Sequence, residues 1–134
     1  MRTISVKTHR RNEFLDITED VAKAVAESGL QDGMAVVYIP HTTAGVTINE
    51  NADPSVVHDI LLTLEELIPH IRAGYQHNEG NSDSHVKASL IGSSVMVPVE
   101  GGRLSLGTWQ GIYFAEFDGP RQRRCIIQVV RQES

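Results

Sequence analysis

A chain of 134 residues with 40% hydrophobic content has room for one core and can close it without disulfide or metal staples. Twelve Lys and Arg against seventeen Asp and Glu leave a net charge of −5 at pH 7, which argues against a general nucleic-acid or anionic-membrane surface. Cys125 is the lone cysteine, and no secretory-signal or membrane-length apolar run is seen, so the expected compartment is the cytoplasm.

In chain order, Thr3–Thr8 and Glu13–Ile17 alternate apolar and polar residues over strand length, which predicts two short strands. Thr18 then reads as an N-cap, with Glu19 and Asp20 in the first turn and Val21, Ala22, Val25 and Ala26 at helical spacing; Gly29 supplies the stop. Met34–Ile39 is an apolar, β-branched run between Asp32-Gly33 and Pro40, the pattern of a buried central strand. Val46–Ile48 resumes a strand. Asp53 as N-cap with Pro54 at the first helical position opens a second helix, whose stripe runs from Val56 to Ile68 and stops at Pro69.

Residues 70–83 show no apolar periodicity and are rich in His, Asn and Gly, which marks a functional loop. A short helix over Ser84–Ile91, capped by Ser82 or Asp83, follows, then strands at Val95–Val99, Leu104–Leu106, Gly111–Phe117 and Cys125–Val130, with a hairpin turn at Glu100-Gly-Gly-Arg. Strands and helices do not alternate regularly, and the C-terminal half is nearly all strand. The prediction is therefore a single α+β domain over residues 1–134.

His41, His77 and His85 fall in polar segments. His41 follows a buried strand, and a folded loop can bring His77 and His85 to one centre. Three neutral imidazoles with one open position hold zinc, and Asp83 or Glu79 can serve beside them. An imidazole bonded within its own loop is the plain structural alternative. His9, His58 and His70 read as solvated surface. Thr42-Thr43-Ala44-Gly45 places small hydroxyls where backbone N–H groups can meet an anion. Arg121, Arg123 and Arg124 follow the turn Asp118-Gly119-Pro120, where one or two of them can grip a phosphate or simply stay solvated on an edge strand, and residues 121–134 hold four Arg and one Glu, so anion binding is expected to be local. Trp109, flanked by polar residues and Gly, can wall a ligand pocket.

Four strings then coincide: His41-Thr-Thr-Ala-Gly-Val-Thr-Ile-Asn-Glu-Asn-Ala-Asp-Pro54, Asn78-Glu-Gly-Asn-Ser-Asp-Ser-His-Val-Lys-Ala-Ser-Leu90, Leu106-Gly-Thr-Trp-Gln-Gly111 and Glu116-Phe-Asp-Gly-Pro-Arg121. Together they resemble the YjbQ family over essentially the whole chain, with Ser84 standing where Ala is the expected residue. The resemblance implies a mixed or antiparallel β-sandwich with two or three helices, a homotrimer, and a secondary thiamine-phosphate synthase activity that joins hydroxymethylpyrimidine diphosphate to hydroxyethylthiazole phosphate. The expected site has Asp83 and His85 as catalytic residues and Thr42, Thr43, Asn81, Lys87, Trp109 and Arg121 around a phosphorylated small molecule or a phosphate- or sulfate-like anion. His41, His77 and His85 are the expected ligands of a divalent metal, zinc by ligand type or magnesium by diphosphate chemistry. The alternative expectation is a binding module for a metal or a phosphorylated metabolite, without catalysis. Neither nucleic acid nor membrane is an expected partner.

Overall fold

A computed structural model describes residues 1–133. The elements run β1 (Arg2–Lys7), β2 (Glu13–Asp16), α1 (Thr18–Ser28), β3 (Gly33–Tyr38), β4 (Ala44–Glu50) and α2 (Pro54–Leu67). They continue with α3 (Ser82–Ile91), β5 (Ser94–Glu100), β6 (Arg103–Leu104), β7 (Gln110–Glu116) and β8 (Gln122–Arg131). All ladders are antiparallel. One sheet has the order β1-β8-β3-β5-β6 and the other β2-β7-β4, so the α+β sandwich with three helices is the architecture found.

The apolar run of β3 sits at the centre of the larger sheet, where Ala35, Val37 and the following Ile39 are fully buried. Val37, Val97, Cys125 and Ile127 from this sheet meet Val46, Ile112 and Phe114 from the other, with Val21 and Ala24 of α1 at the margin. Each fully buried aliphatic side chain stabilises the fold by about 1.5–3 kcal/mol. The second face of β7 carries Ala115, which with Phe117 just beyond the strand packs under Leu61 and Leu64 of α2 and under Ala88 and Ile91 of α3. Strand β7 is consequently buried on both faces, and α3 lies directly over one of them.

Local chemistry explains the boundaries. Thr18 is the first residue of α1 rather than its N-cap, because its hydroxyl donates to Asp16 Oδ1 at 2.6 Å and accepts the Ile112 N–H at 2.9 Å. Gly29 ends that helix at φ +74°, a left-handed geometry that favours glycine. Asp53 caps α2 by accepting the Ser55 N–H at 2.9 Å, with Pro54 at the first position. Helix α3 begins two residues earlier than its sequence pattern suggests, with Asn81 as N-cap, because Asp83 turns inward instead of capping. Among the described residues no helix is long and apolar enough to cross a membrane.

Candidate functional site

Helix α3 is pinned to the sandwich by charge. Asp83 in its first turn is fully buried. The Arg11 guanidinium, from the β1–β2 connection, donates to both carboxylate oxygens at 2.9 Å, and Lys87 Nζ donates to Oδ2 at 3.1 Å. Burial alone pushes the carboxyl up, but the hydrogen bonds from Arg11 and Lys87 outweigh it and hold Asp83 at about 2. The sequence reading makes Asp83 an acid, a base or an orienter; the structure makes it an ionised anchor whose oxygens are taken. Lys87 is corrected in the same way: only 1% exposed, it turns its ammonium onto Asp83 and Asn12 rather than toward a phosphate. A buried charge of either sign needs such a partner.

Residues 69–81 have no regular structure but are braced internally. The Tyr75 hydroxyl donates to the Pro69 carbonyl at 2.9 Å, His70 Nε2 bonds the Gly80 carbonyl at 2.9 Å, and the Gly80 N–H reaches the His77 carbonyl at 3.4 Å. Gly80, at φ +71°, turns the chain back on itself, and the His77 ring comes to 5.3 Å from the His85 ring at an interplanar angle of 89°. Asn81 Nδ2 donates to Asp118 Oδ2 at 2.8 Å, while its buried Oδ1 has no partner among the described residues. Asp118 also receives Arg121 NH2 at 2.8 Å, and Arg121 Nε donates to the Asp118 carbonyl. The Arg121 side chain is half-exposed and keeps NH1 for a further partner.

His41 stands just after β3. Its Nε2 accepts the Arg124 N–H at 3.1 Å, which places the proton of the neutral ring on Nδ1. Burial, and after it the charge of Arg123, lowers the His41 pKa. The ring lines an open cleft of about 340 Å³ with Ala44, Ala88, Ser89, Gly92 and Ser93. Ser89 lies one helical turn beyond His85, so this cleft and the imidazole pair share one face of α3.

Of the two threonines beside His41, Thr42 is exposed, whereas Thr43 is buried and accepts Arg123 NH2 on Oγ1 at 2.8 Å. Thr43 is thus part of the scaffold. Gly45 serves packing: a Cβ there would lie 2.5 Å from the Gly92 carbonyl oxygen, so glycine lets the end of α3 approach β4.

Trp109 lies elsewhere. The β4–β7 register pairs Ala44 with Glu116 at one end and Glu50 with Gln110 at the other, and seven strand residues span roughly 20 Å. Trp109 precedes β7 at the Glu50 end, 63% exposed, with its carbonyl accepting the Asn51 N–H at 3.0 Å. The histidines belong to the opposite end, so one chain does not bring Trp109 to them.

The expected three-imidazole pocket is likewise corrected. Among the described residues, no group of three His, Cys, Asp or Glu side chains could hold a metal ion. His77 and His85 meet, but His41 has its Nε2 lone pair engaged by Arg124 and its Nδ1 protonated, leaving no nitrogen for a metal.

Sequence reasoning passes over Arg11, Asn12, Ser89 and Glu116, and it takes Arg123 for a phosphate-gripping candidate, whereas the structure buries Arg123 against Glu116 and Thr43. For the Glu116–Arg123 pair a signal exists: Glu116 shares strand parity with Ile112 and Phe114, and Arg123 with Cys125 and Ile127, so alternation aims both inward. Nothing local marks Arg11, whose partner lies 72 residues away.

Comparison with known proteins agrees with this architecture. The profile of the family described as UPF0047 protein YjbQ-like matches residues 2–132. The UPF0047 protein YugU of Bacillus subtilis is 51% identical over 130 residues, covering 97% of this chain and 98% of its own. A UPF0047 protein of Methanocaldococcus jannaschii is 54% identical over 125 residues, covering 93% of this chain and 90% of its own. The crystal structure of an uncharacterised conserved protein from Clostridium acetobutylicum superposes with a TM-score of 0.95 at 56% identity, covering 97% of this chain and 100% of that one. This chain belongs to the YjbQ-like UPF0047 family.

Proposed function

We propose that this protein is a small enzyme acting on a phosphorylated small molecule held along the exposed face of α3, with His85 and His77 as its proton-transfer groups. The observation behind this reading is the meeting of the His77 ring, from the 69–81 loop, with the His85 ring, on a helix anchored by the buried Asp83, their centroids 5.3 Å apart. An imidazole can give or take a proton, and the anchored helix keeps that of His85 in register with a substrate. Arg121 NH1 is a donor for phosphate oxygens. His41, neutral and carrying its proton on Nδ1, offers a further donor in the adjoining cleft.

The specific reaction proposed is a secondary thiamine-phosphate synthase activity. The carbon–oxygen bond of hydroxymethylpyrimidine diphosphate breaks and pyrophosphate leaves with the electron pair. The ring nitrogen of hydroxyethylthiazole phosphate then gives its lone pair to the same carbon. A protonated His85 or His77 neutralises charge on the departing diphosphate. The donors that one chain assembles do not fit a three-imidazole zinc pocket. Magnesium asks for free carboxylate oxygens, and those of Asp83 are bonded to Arg11 and Lys87. A cytoplasmic homotrimer completes the proposal, supported by Leu62 and Leu67 of α2, which stand 49% and 71% exposed and would gain cover from subunit contact; native mass spectrometry tests it.

The test of activity is turnover of the two phosphorylated substrates by purified protein, read as pyrophosphate release and thiamine phosphate formed. His85→Ala is expected to lower turnover about 100-fold or more with the melting temperature nearly unchanged. Wild-type rates in both His85→Ala and His77→Ala would overturn the role. A non-catalytic binding module is the second reading, favoured by the commitment of Asp83 to structure. It predicts saturable binding of the phosphorylated compounds without product.

A further inference from the structure

We infer that this chain docks onto a second copy of itself head to tail, the exposed side of α2 of one copy lying on the outer face of the five-stranded sheet of the next. The inference rests on the self-association proposed above, names the two surfaces that build it, and requires no turnover. Strand alternation sets the first surface. Ala35 and Val37 of β3, Val97 and Val99 of β5, and Cys125 and Ile127 of β8 face the core, so Met34, Val36, Tyr38, Met96, Ile126 and Val130 face the other way. The register gathers them: Val36 lies opposite Met96, Tyr38 opposite Ile126 and Met34 opposite Val130. Among the described residues none of the six belongs to a core cluster, and Tyr38, Met96 and Val130 stand 45%, 62% and 51% exposed. The open face of an antiparallel sheet is ordinarily polar; a contiguous apolar one marks a contact surface.

Helix α2 is the second surface. No residue within Pro54–Leu67 is buried, although Leu61 and Leu64 rest on the cluster around Phe117. Val56, Ile60, Thr63 and Leu64 line an open cleft of about 400 Å³ along the helix, and Leu67, one turn on, is 71% exposed. A helix apolar over this much of its circumference belongs in an interior. Within one chain α2 packs over β7, on the far side of the sandwich from the open sheet face, so a second copy must supply the match. The dimensions agree: α2 has 14 residues and is about 21 Å long, and the six residues of β3 span roughly 20 Å. Charge agrees as well. Helix α2 carries Asp59, Glu65 and Glu66 and no Lys or Arg, while Lys7 and Arg124 occupy outward positions of β1 and β8 at one end of the sheet face and Glu100 of β5 stands at the other. The helix therefore lies with its C-terminal glutamates and negative dipole end toward Lys7 and Arg124, and its N-terminus toward Glu100. Helix and sheet are different patches, so the contact is heterologous and closes as a ring.

The experiment is native mass spectrometry and sedimentation of the full chain, with one substitution on each surface. Met96→Asp on the sheet and Leu67→Lys on α2 change side chains that are exposed in the single chain, so both variants are expected to fold, as circular dichroism checks. Each is expected to weaken assembly about tenfold or more. Their mixture is the specific test: the intact helix of the Met96→Asp chain meets the intact sheet of the Leu67→Lys chain, giving a one-to-one dimer that neither variant forms alone. Val130→Asp and Thr63→Lys form a second pair if either first variant fails to fold. A monomeric wild type, or a mixture that yields no mixed dimer, would overturn the inference. Loss of assembly in Met96→Asp with Leu67→Lys unaffected would overturn it in favour of sheet-to-sheet pairing. A trimer that both variants preserve refutes these surfaces and leaves the proposed homotrimer standing, and turnover of the phosphorylated substrates is read separately from either.

Discussion

Arg123 and Glu116 join the two sheets of the sandwich through their side chains: Arg123 Nε, on β8, donates to Glu116 Oε1, on β7, at 2.8 Å. Neither charge keeps an unused partner. Glu116 also accepts the Thr8 hydroxyl at 2.8 Å and the N–H groups of Phe117 and Asp118 at 3.1 and 3.0 Å, while Arg123 donates to Thr43 Oγ1. Such saturation lets a fully buried ion pair persist, and it steadies the end of the sandwich where the next residue, Arg124, holds His41.

Removing one member of the pair strands the other charge in the interior. Glu116→Ala is expected to destabilise the protein by about 3–5 kcal/mol, measured by urea unfolding. The double variant Glu116→Leu, Arg123→Met should recover much of that loss. A single-variant loss below about 1 kcal/mol would contradict the structural role assigned to the pair.

Acid should weaken the attachment of α3. Asp83 has a folded pKa of about 2 against an ordinary 3.8, so its contribution is complete above pH ~4 and is lost as pH falls toward 2. The shift corresponds to about 2 kcal/mol. Glu116, also lowered through Arg123 despite its burial, acts in the same direction. Asp83→Asn should flatten the acid limb of the stability curve, and an unchanged limb would count against the triad.

Space at Gly45 offers a third test. Gly45→Ala puts a methyl group 2.5 Å from the Gly92 carbonyl oxygen, a clash with fixed backbone rather than with a flexible side chain. The expected loss is about 1–3 kcal/mol, with a lower melting temperature. Equal stability would show that α3 and β4 can part at no cost.

The tautomer of His41 can be observed directly. Long-range nitrogen–proton correlation spectra should place its proton on Nδ1 at pH 7, and titration should give a pKa below 6.5, as burial and Arg123 require. Because the folded state prefers the neutral ring, the associated stability is present above the unfolded pKa and declines as pH falls through that value. A proton on Nε2 would overturn the Arg124 contact.

Much of the architecture can be read from local pattern. Asp53-Pro54 marks the start of α2, Gly29 the end of α1, and Gly101-Gly102, at φ +58° and +78°, the tight turn between β5 and β6, because caps and left-handed turns are decided by neighbouring residues. The site reads differently. His77 and His85 are found by residue type, but their contact depends on the backbone turn at Gly80. The roles of Asp83 and Lys87 invert once Arg11 is seen, since their chemistry depends on what closes over them.

Residue order and composition by themselves determined the α+β class, the strands and helices, the family resemblance and the polar segments where chemistry could gather, since periodicity and turn preference act within a few residues. Tertiary structure alone decided that Trp109 lies at the far end of β7, that His41 stands apart from the other two imidazoles, and that Asp83 is an anchor. Distance, burial and charge pairing are set by contacts between segments as remote in sequence as Arg11 and Asp83, and desolvation makes those contacts choose each group's protonation and partner.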